Sequence, residues 1–162
     1  MRRRRNARRS ATGGRTKGRP RAFCCPPPTH GAGHEVLLIT SRDTGRWVVP
    51  KGWPVAGKSA ARSAAQEAFE EAGVEGTVSD DCIGVYSYGK VLGSKRILPC
   101  VVAVYPLRVT GLKEDFPEKG QRRLKWFRPQ AAATKVAEPD LSAILAAFAP
   151  PPEADPAPGE SR

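Results

Sequence analysis

The sequence predicts an α/β fold, a mixed β-sheet with helices on its faces. Three observations predict it. Short apolar runs rich in Val and Ile recur between turn residues, as at 36–40 and 97–107. One alanine-rich segment, 60–72, interrupts them and is bounded by Ser59 and Gly73. A last segment, Leu141 to Phe148, has apolar residues at i, i+3 and i+4 spacing. Strands, a helix, more strands and a terminal helix form such a layered arrangement.

The elements follow in order. Arg19 to Cys25 reads as a short strand that Pro26-Pro27-Pro28 ends. Glu35 to Thr40 has strand length and β-branched character. Asp43-Thr44-Gly45 turns the chain into a second short run, Trp47-Val48-Val49. A constrained loop, Pro50-Lys51-Gly52-Trp53-Pro54, leads to the helix at 60–72, with Ser59 as N-cap. Thr77-Val78 and Cys82 to Tyr88 read as strand, and Gly89 to Lys95 as a loop. Ile97 to Leu107 is a strongly apolar strand with Pro99 near its start, and Gly111 to Gly120 is an acidic loop. Leu124-Lys125-Trp126-Phe127 is a last strand. Pro129 opens an alanine segment, and Asp140 is placed as N-cap of the final helix. No internal repeat is present.

Charge divides the chain. Of its net +11, residues 1–21 supply nine Arg and one Lys with no acid, leaving 17 basic and 16 acidic residues elsewhere. The folded body is therefore nearly neutral. Residues 1–18 lack apolar periodicity and are expected to be a disordered basic arm. Such an arm can hold nucleic acid through phosphate neutralisation; it also has the Arg-rich, acid-poor character of a transit peptide, or is a bland solvated tail. Residues 19–148 are expected to form the domain, and 149–162 a disordered Pro-rich tail. No apolar run reaches membrane-spanning length and no signal-peptide core is found, so a soluble, cytoplasmic protein without membrane contact is expected. Cys24, Cys25, Cys82 and Cys100 form no C-x-x-C pair and read as buried reduced thiols. His30 and His34 lie in a Pro/Gly-rich loop and read as structurally indifferent.

The chemistry concentrates at the end of the 60–72 helix. Glu67 and Glu71 stack at i, i+4, and Glu67 and Glu70 at i, i+3. Like charges at this spacing repel by a few tenths of a kcal/mol per pair. They also stand at the negative end of the helix dipole, where cations are favoured. No Lys or Arg lies within a turn to offset them. A hard divalent cation such as Mg2+, completed by substrate phosphates, would do so. A solvated acidic face would carry the same residues.

The flanking residues weigh on that choice. Gly52, Lys58 and Gln66-Glu67-Ala68-Phe69-Glu70-Glu71-Ala72-Gly73-Val74 resemble the Nudix box, Gly-x5-Glu-x7-Arg-Glu-U-x-Glu-Glu-x-Gly-U. Gly52, Glu67, Ala68, Glu70, Glu71, Gly73 and Val74 fit; Lys58 stands where the box has Glu, and Gln66 where it has Arg. The resemblance implies a Nudix-type α/β/α sandwich with a mixed β-sheet over about 19–148, and a pyrophosphate-cleaving hydrolase. Outside the box, Val36 to Arg42, Arg46 to Pro50 and Gly120 to Phe127 resemble the diphosphoinositol polyphosphate phosphohydrolase branch and its bacterial relatives.

By position, that likeness implies a metal on the Lys51 carbonyl, Glu67 and Glu71, with Glu70 as proton acceptor. It places Arg19, Arg21, Thr40, Ser41, Arg42, Gly52, Trp53, Pro54, Lys95, Arg96 and Arg122 around the substrate. Cations converging from loops and strand ends suit a polyphosphate. The family often has an acid near the last strand; Lys125 stands there instead. Lys58 can reach the carboxylates only if the 52–57 loop folds back over the helix, and the resemblance implies that it does.

The function expected is a Mg2+-dependent pyrophosphohydrolase (Mn2+ being an alternative metal) acting on a diadenosine polyphosphate or a diphosphoinositol polyphosphate. The alternatives are a non-catalytic Nudix-like binding module and an RNA 5′-pyrophosphohydrolase that uses the basic arm. Three clustered like charges argue against a module without catalysis. Oligomeric state is not legible.

Overall fold

The computed structural model describes residues 19–25, by backbone, and 33–149. The basic arm, the Pro-rich tail and His30 lie outside the described residues. Among the described residues seven strands and three helices follow in order: β1 (Arg19–Cys25), β2 (Val36–Thr40), β3 (Trp47–Val48), α1 (Ala60–Ala72), β4 (Val74–Val78), β5 (Gly84–Leu92), β6 (Arg96–Leu112), β7 (Leu124–Phe127), α2 (Pro129–Ala133) and α3 (Pro139–Ala147).

The strands divide between two sheets. In one, β1 runs parallel to β6, and β4 and β5 pair antiparallel to β6. In the other, β2 lies between β3 and β7, all antiparallel. The long β6 makes this possible. Its first half takes β5, with Leu92 opposite Arg96 and Gly84 opposite Val104, and its second half takes β4.

All five residues of β2 are buried, so it works as a central strand with two faces. Because side chains alternate along a strand, Val36 and Leu38 enter one core with Tyr86, Val102, Val104, Leu141 and Leu145. Leu37 and Ile39 enter the other, with Ala64, Ala68 and Ala72 of α1 and Leu107 and Val109 of β6. The helices therefore cover opposite sides, as the expected sandwich requires.

α1 has the expected bounds. Ser59 Oγ accepts from the Arg62 amide at 3.2 Å. Gly73 takes φ +68°, a value that favours glycine, and its amide donates to the Phe69 carbonyl at 2.8 Å.

Three local expectations are corrected. The 89–95 segment is not a loop: Val91 pairs with Ile97 and Leu92 with Arg96, so the hairpin extends and turns only at Gly93–Lys95. Asp140 is not the cap of α3: Pro139, whose fixed φ suits the first helical position, starts the helix after Glu138, and Asp140 lies within the first turn. Cys82 is exposed, although Cys100 is buried as expected; Cys82 lies just ahead of β5, outside both cores.

Candidate active site

The loop after β3 lies along α1 and is fastened to it turn by turn. The Lys51 amide donates to Glu71 Oε2 at 2.8 Å. Gly52 sits against the Glu67 carboxylate: a Cβ at 52 would fall 1.7 Å from its carboxyl carbon. The Val55 amide donates to Ser63 Oγ at 3.0 Å, and Ser63 is buried. Ser63, Glu67 and Glu71 form one i, i+4 stripe, so successive loop residues meet successive turns of the helix. The loop then closes on itself through the Lys58 amide and Val55 carbonyl, 3.2 Å apart, with Gly57 at φ +77°.

A cleft of about 690 Å³ opens beside this stripe. Glu67 and Glu71 of α1, Lys51, Gly52 and Trp53 of the loop, Ser41, Arg42 and Arg46 around the β2–β3 turn, and Glu118 and Arg122 line it. The β5–β6 hairpin contributes Tyr88, Lys90 and Val91. Trp53 is 47% exposed, an unusual state for so large an apolar ring.

Glu71 is the most constrained acid. It is 6% exposed, with Oε1 held by Arg122 Nη2 at 2.9 Å and Oε2 by the Lys51 amide. Burial pushes its carboxyl above the ordinary value of 4.5 and outweighs the Lys51 amide and the Arg122 guanidinium, which pull it down. Arg122 is equally enclosed, its side chain 6% exposed. It donates to Thr40 O at 3.1 Å through Nη1 and to Glu118 Oε2 at 3.0 Å through Nε. Nη2 also lies 3.0 Å from Glu118 Oε2. One guanidinium thus sets two cleft acids and the end of β2 relative to one another.

The predicted residues distribute as follows. Glu67, Glu71, Lys51, Ser41, Arg42, Gly52, Trp53 and Arg122 share the cleft wall. Glu70 lies outside the lining, half-buried on the neighbouring face of α1, and accepts from Gln66 Nε2 at 2.7 Å. Thr40 is buried beneath the cleft, its Oγ1 accepting from the Arg123 amide at 2.9 Å. Pro54 is exposed and outside the lining, as are Lys95 and Arg96 at the hairpin tip. Arg19 and Arg21 stand on β1 opposite Val102 and Val104; their side chains lie outside the described residues.

Among the cleft residues that sequence reading missed are Asp43, Glu118, Lys90, Tyr88 and Arg46. Glu118 stands in the loop before β7, where its amide donates to the Glu70 carbonyl at 3.0 Å. Its other carboxylate oxygen lies 3.3 Å from Arg42 Nη1. A sequence signal existed: Glu118 and Arg122 are an i, i+4 pair of opposite charge.

Among the described residues, no three acidic, His or Cys side chains are gathered around one point as a metal site. The residues nevertheless fit a hard divalent cation. Four carboxylate residues, Asp43, Glu67, Glu71 and Glu118, line the cleft together with Lys51 and supply oxygen donors of the kind such a cation takes. The missing Cβ of Gly52 leaves the space that the Glu67 carboxylate fills. Among the described residues, no helix is long and apolar enough to cross a membrane.

Comparison with known proteins agrees with this fold. The NUDIX domain family model matches residues 18–148. The chain therefore belongs to the NUDIX domain family, and its enzyme class is that of the Nudix hydrolases, which cleave phosphoanhydrides. Among solved structures it is similar to a C. elegans Ap4A hydrolase, with 17% identity over 81% of this chain and 94% of that one and a TM-score of 0.55. It is also similar to the E. coli dihydroneopterin triphosphate pyrophosphohydrolase, with 16% identity, 80% and 93% coverage and a TM-score of 0.58. The E. coli ORF135 protein gives 17% identity, 85% and 93% coverage and a TM-score of 0.56. None of the curated proteins matches the chain.

Proposed function

We propose that the protein is a Mg2+-dependent pyrophosphohydrolase acting on a diadenosine polyphosphate or a diphosphoinositol polyphosphate. The observation that carries this reading is the make-up of the cleft wall. Glu67, Glu71 and Glu118 face a space shared with Arg42, Arg46, Lys51 and Lys90. Carboxylates suit a divalent cation, and the surrounding cations suit a chain of phosphates. A volume of about 690 Å³ is that of a small-molecule site.

In this reading Lys51, through its carbonyl, Glu67 and Glu71 would hold the cation, with Glu118 as a further carboxylate of the same cleft. When bound, the cation neutralises charge that develops on the phosphate oxygens. Arg42, Lys51 and Lys90 hold the phosphate chain, and Trp53 lies under the group that carries it. Water attacks phosphorus, the bridging P–O bond breaks, and the leaving phosphate keeps the electron pair. Glu70 takes the proton of the attacking water, a role assigned from its place in the motif. Arg122 acts through Glu71 and Glu118, because its guanidinium is already engaged by both. The folded unit is residues 19–148, and a cytoplasmic location belongs to the same reading.

The test is a substrate panel with Mg2+: diadenosine tetra- to hexaphosphates, diphosphoinositol phosphates, nucleoside triphosphates, ADP-ribose and triphosphorylated RNA. Turnover of the first two classes above the rest is expected. A preference for triphosphorylated RNA would point to the 5′-pyrophosphohydrolase reading, and no Mg2+-dependent release from any of them would refute catalysis.

A further inference from the structure

The two positions at which this chain departs from the Nudix box touch one another. The 52–58 loop folds back along α1, and the Lys58 ammonium donates to Gln66 Oε1. Gln66 Nε2 in turn donates to Glu70 Oε1 at 2.7 Å. Lys58 is exposed, and Gln66 and Glu70 are half-buried, so the chain of bonds runs inward from the surface to the acid.

Elementary hydrogen-bond chemistry fixes the direction of this chain. An ammonium only donates and a carboxylate only accepts. A primary amide between them must turn its oxygen toward Lys58 and its NH2 toward Glu70. Lys58 therefore selects one of the two amide orientations of Gln66, and the selected one presents a donor to Glu70. Among the described residues Gln66 is the side chain that holds the Glu70 carboxylate. The spacing of Gln66 and Glu70 at i, i+4 brings them together on the helix surface.

We propose that Lys58 and Gln66 are positioning residues that fix the Glu70 carboxylate through a directional ammonium–amide–carboxylate relay. The proposal rests on the assignment of Glu70 as proton acceptor. It replaces an acid and an arginine with a cation and a neutral amide, and keeps a donor facing Glu70. It also ties the loop that carries Gly52 and Trp53 to the helix at a further point, beside the stripe of Ser63, Glu67 and Glu71.

The relay makes an asymmetric prediction. With Lys58→Glu, position 58 becomes an acceptor. Gln66 must then turn its NH2 outward, and its oxygen faces the Glu70 carboxylate, acceptor against acceptor. With Gln66→Arg added, the guanidinium donates to both sides and restores a bond to Glu70. Lys58→Glu alone is expected to lower kcat on the order of 10–100-fold with KM nearly unchanged. The double variant Lys58→Glu/Gln66→Arg is expected to recover most of the loss, and Lys58→Arg, which keeps the donor, to match the parent.

A second readout needs no turnover. The side-chain NH2 of Gln66, observed by NMR, is expected to be shifted downfield and slow to exchange in the parent. In Lys58→Glu the NH2 turns outward to an exposed position, so its slow exchange should be lost and its shift should change; both signatures should persist in Lys58→Arg, while Tm holds within about 2 °C, as for an exposed change. If the parent turns over no substrate of the panel, the functional reading fails while the NMR measurement still tests the relay. The relay itself is overturned if the Gln66 NH2 signals are indifferent to Lys58→Glu. It is likewise overturned if the losses of Lys58→Glu and Gln66→Arg, each made alone, simply add in the double variant.

Discussion

Replacing Arg122 with Met tests how the cleft acids are held in place. Arg122 donates to Glu71, Glu118 and the Thr40 carbonyl at 2.9–3.1 Å, from a side chain only 6% exposed. Methionine fills much of its volume and removes every donor. Glu71, enclosed to the same degree, keeps, among the described residues, the Lys51 amide as its hydrogen-bond donor. Breaking one side of a buried ion pair costs about 3–5 kcal/mol, because the remaining charge is left without its partner. At about 2–4 °C per kcal/mol for a domain of this size, Tm should fall by roughly 6–20 °C. The loss should also depend on pH. Burial already holds the Glu71 carboxyl above 4.5 in the folded state. A raised carboxyl contributes its full share of stability below its unfolded value, and loses that share as the pH rises through its folded value. Without Arg122 the folded value rises further, so the deficit between variant and parent should widen upward from about pH 4.5 and narrow in acid. Thermal melts from about pH 4 to 8 without added metal measure it. A Tm within about 2 °C of the parent, or a deficit that does not change with pH, would refute a pinning role for Arg122.

Gly52→Ala should leave Tm nearly unchanged and abolish most turnover. The added Cβ meets the end of a flexible side chain, the Glu67 carboxylate, at 1.7 Å and displaces it from the cleft wall; parent-like kcat would show that the position of Glu67 is unimportant. Glu70→Gln should preserve the fold and cut kcat by about 10²–10⁴-fold, the usual worth of a general base, and steady-state kinetics matching the parent would remove Glu70 from the mechanism. Deleting residues 1–17 should leave hydrolysis of small substrates unchanged and weaken any salt-dependent affinity for RNA. A truncated protein that cannot fold, as judged by circular dichroism, would overturn the separation of arm from domain.

Legibility in the sequence followed the range of the interaction. α1 was readable to the residue, because Ser59, the alanines and Gly73 act within one or two turns of themselves. Helical spacing set Glu67 and Glu71 on one stripe, and both line the cleft, whereas Glu70 lies outside the lining. What was hidden depends on the meeting of distant segments. Glu118 enters the cleft only because its loop hydrogen-bonds to the end of α1 and its carboxylate to Arg122. Arg122 looked like a surface clamp for phosphate, since nothing local shows that it would be enclosed by Glu71 and Thr40. Gly89, Gly93 and Lys95 suggested a long loop, yet cross-strand partners carried β5 on to Leu92. Strand length is decided by the partner strand as much as by local composition. Lys58 was expected to reach the acidic cluster by fold-back. It does so through Gln66, a contact that spacing alone could not specify.

The fastening of residues 51, 52 and 55 to 71, 67 and 63 makes the peptide between β3 and α1 a ruler. Each rung of the helix stripe is about 6 Å from the next, four residues at 1.5 Å each. The chain that runs back along it must come into step with every rung before it turns at Gly57. Adding one residue between Gly52 and Ser59 would leave every side chain chemically intact and put the two halves out of step. The fixed interval between the box glycine and its acids is thus a length standard, and insertions that an ordinary surface loop tolerates should be ruinous here.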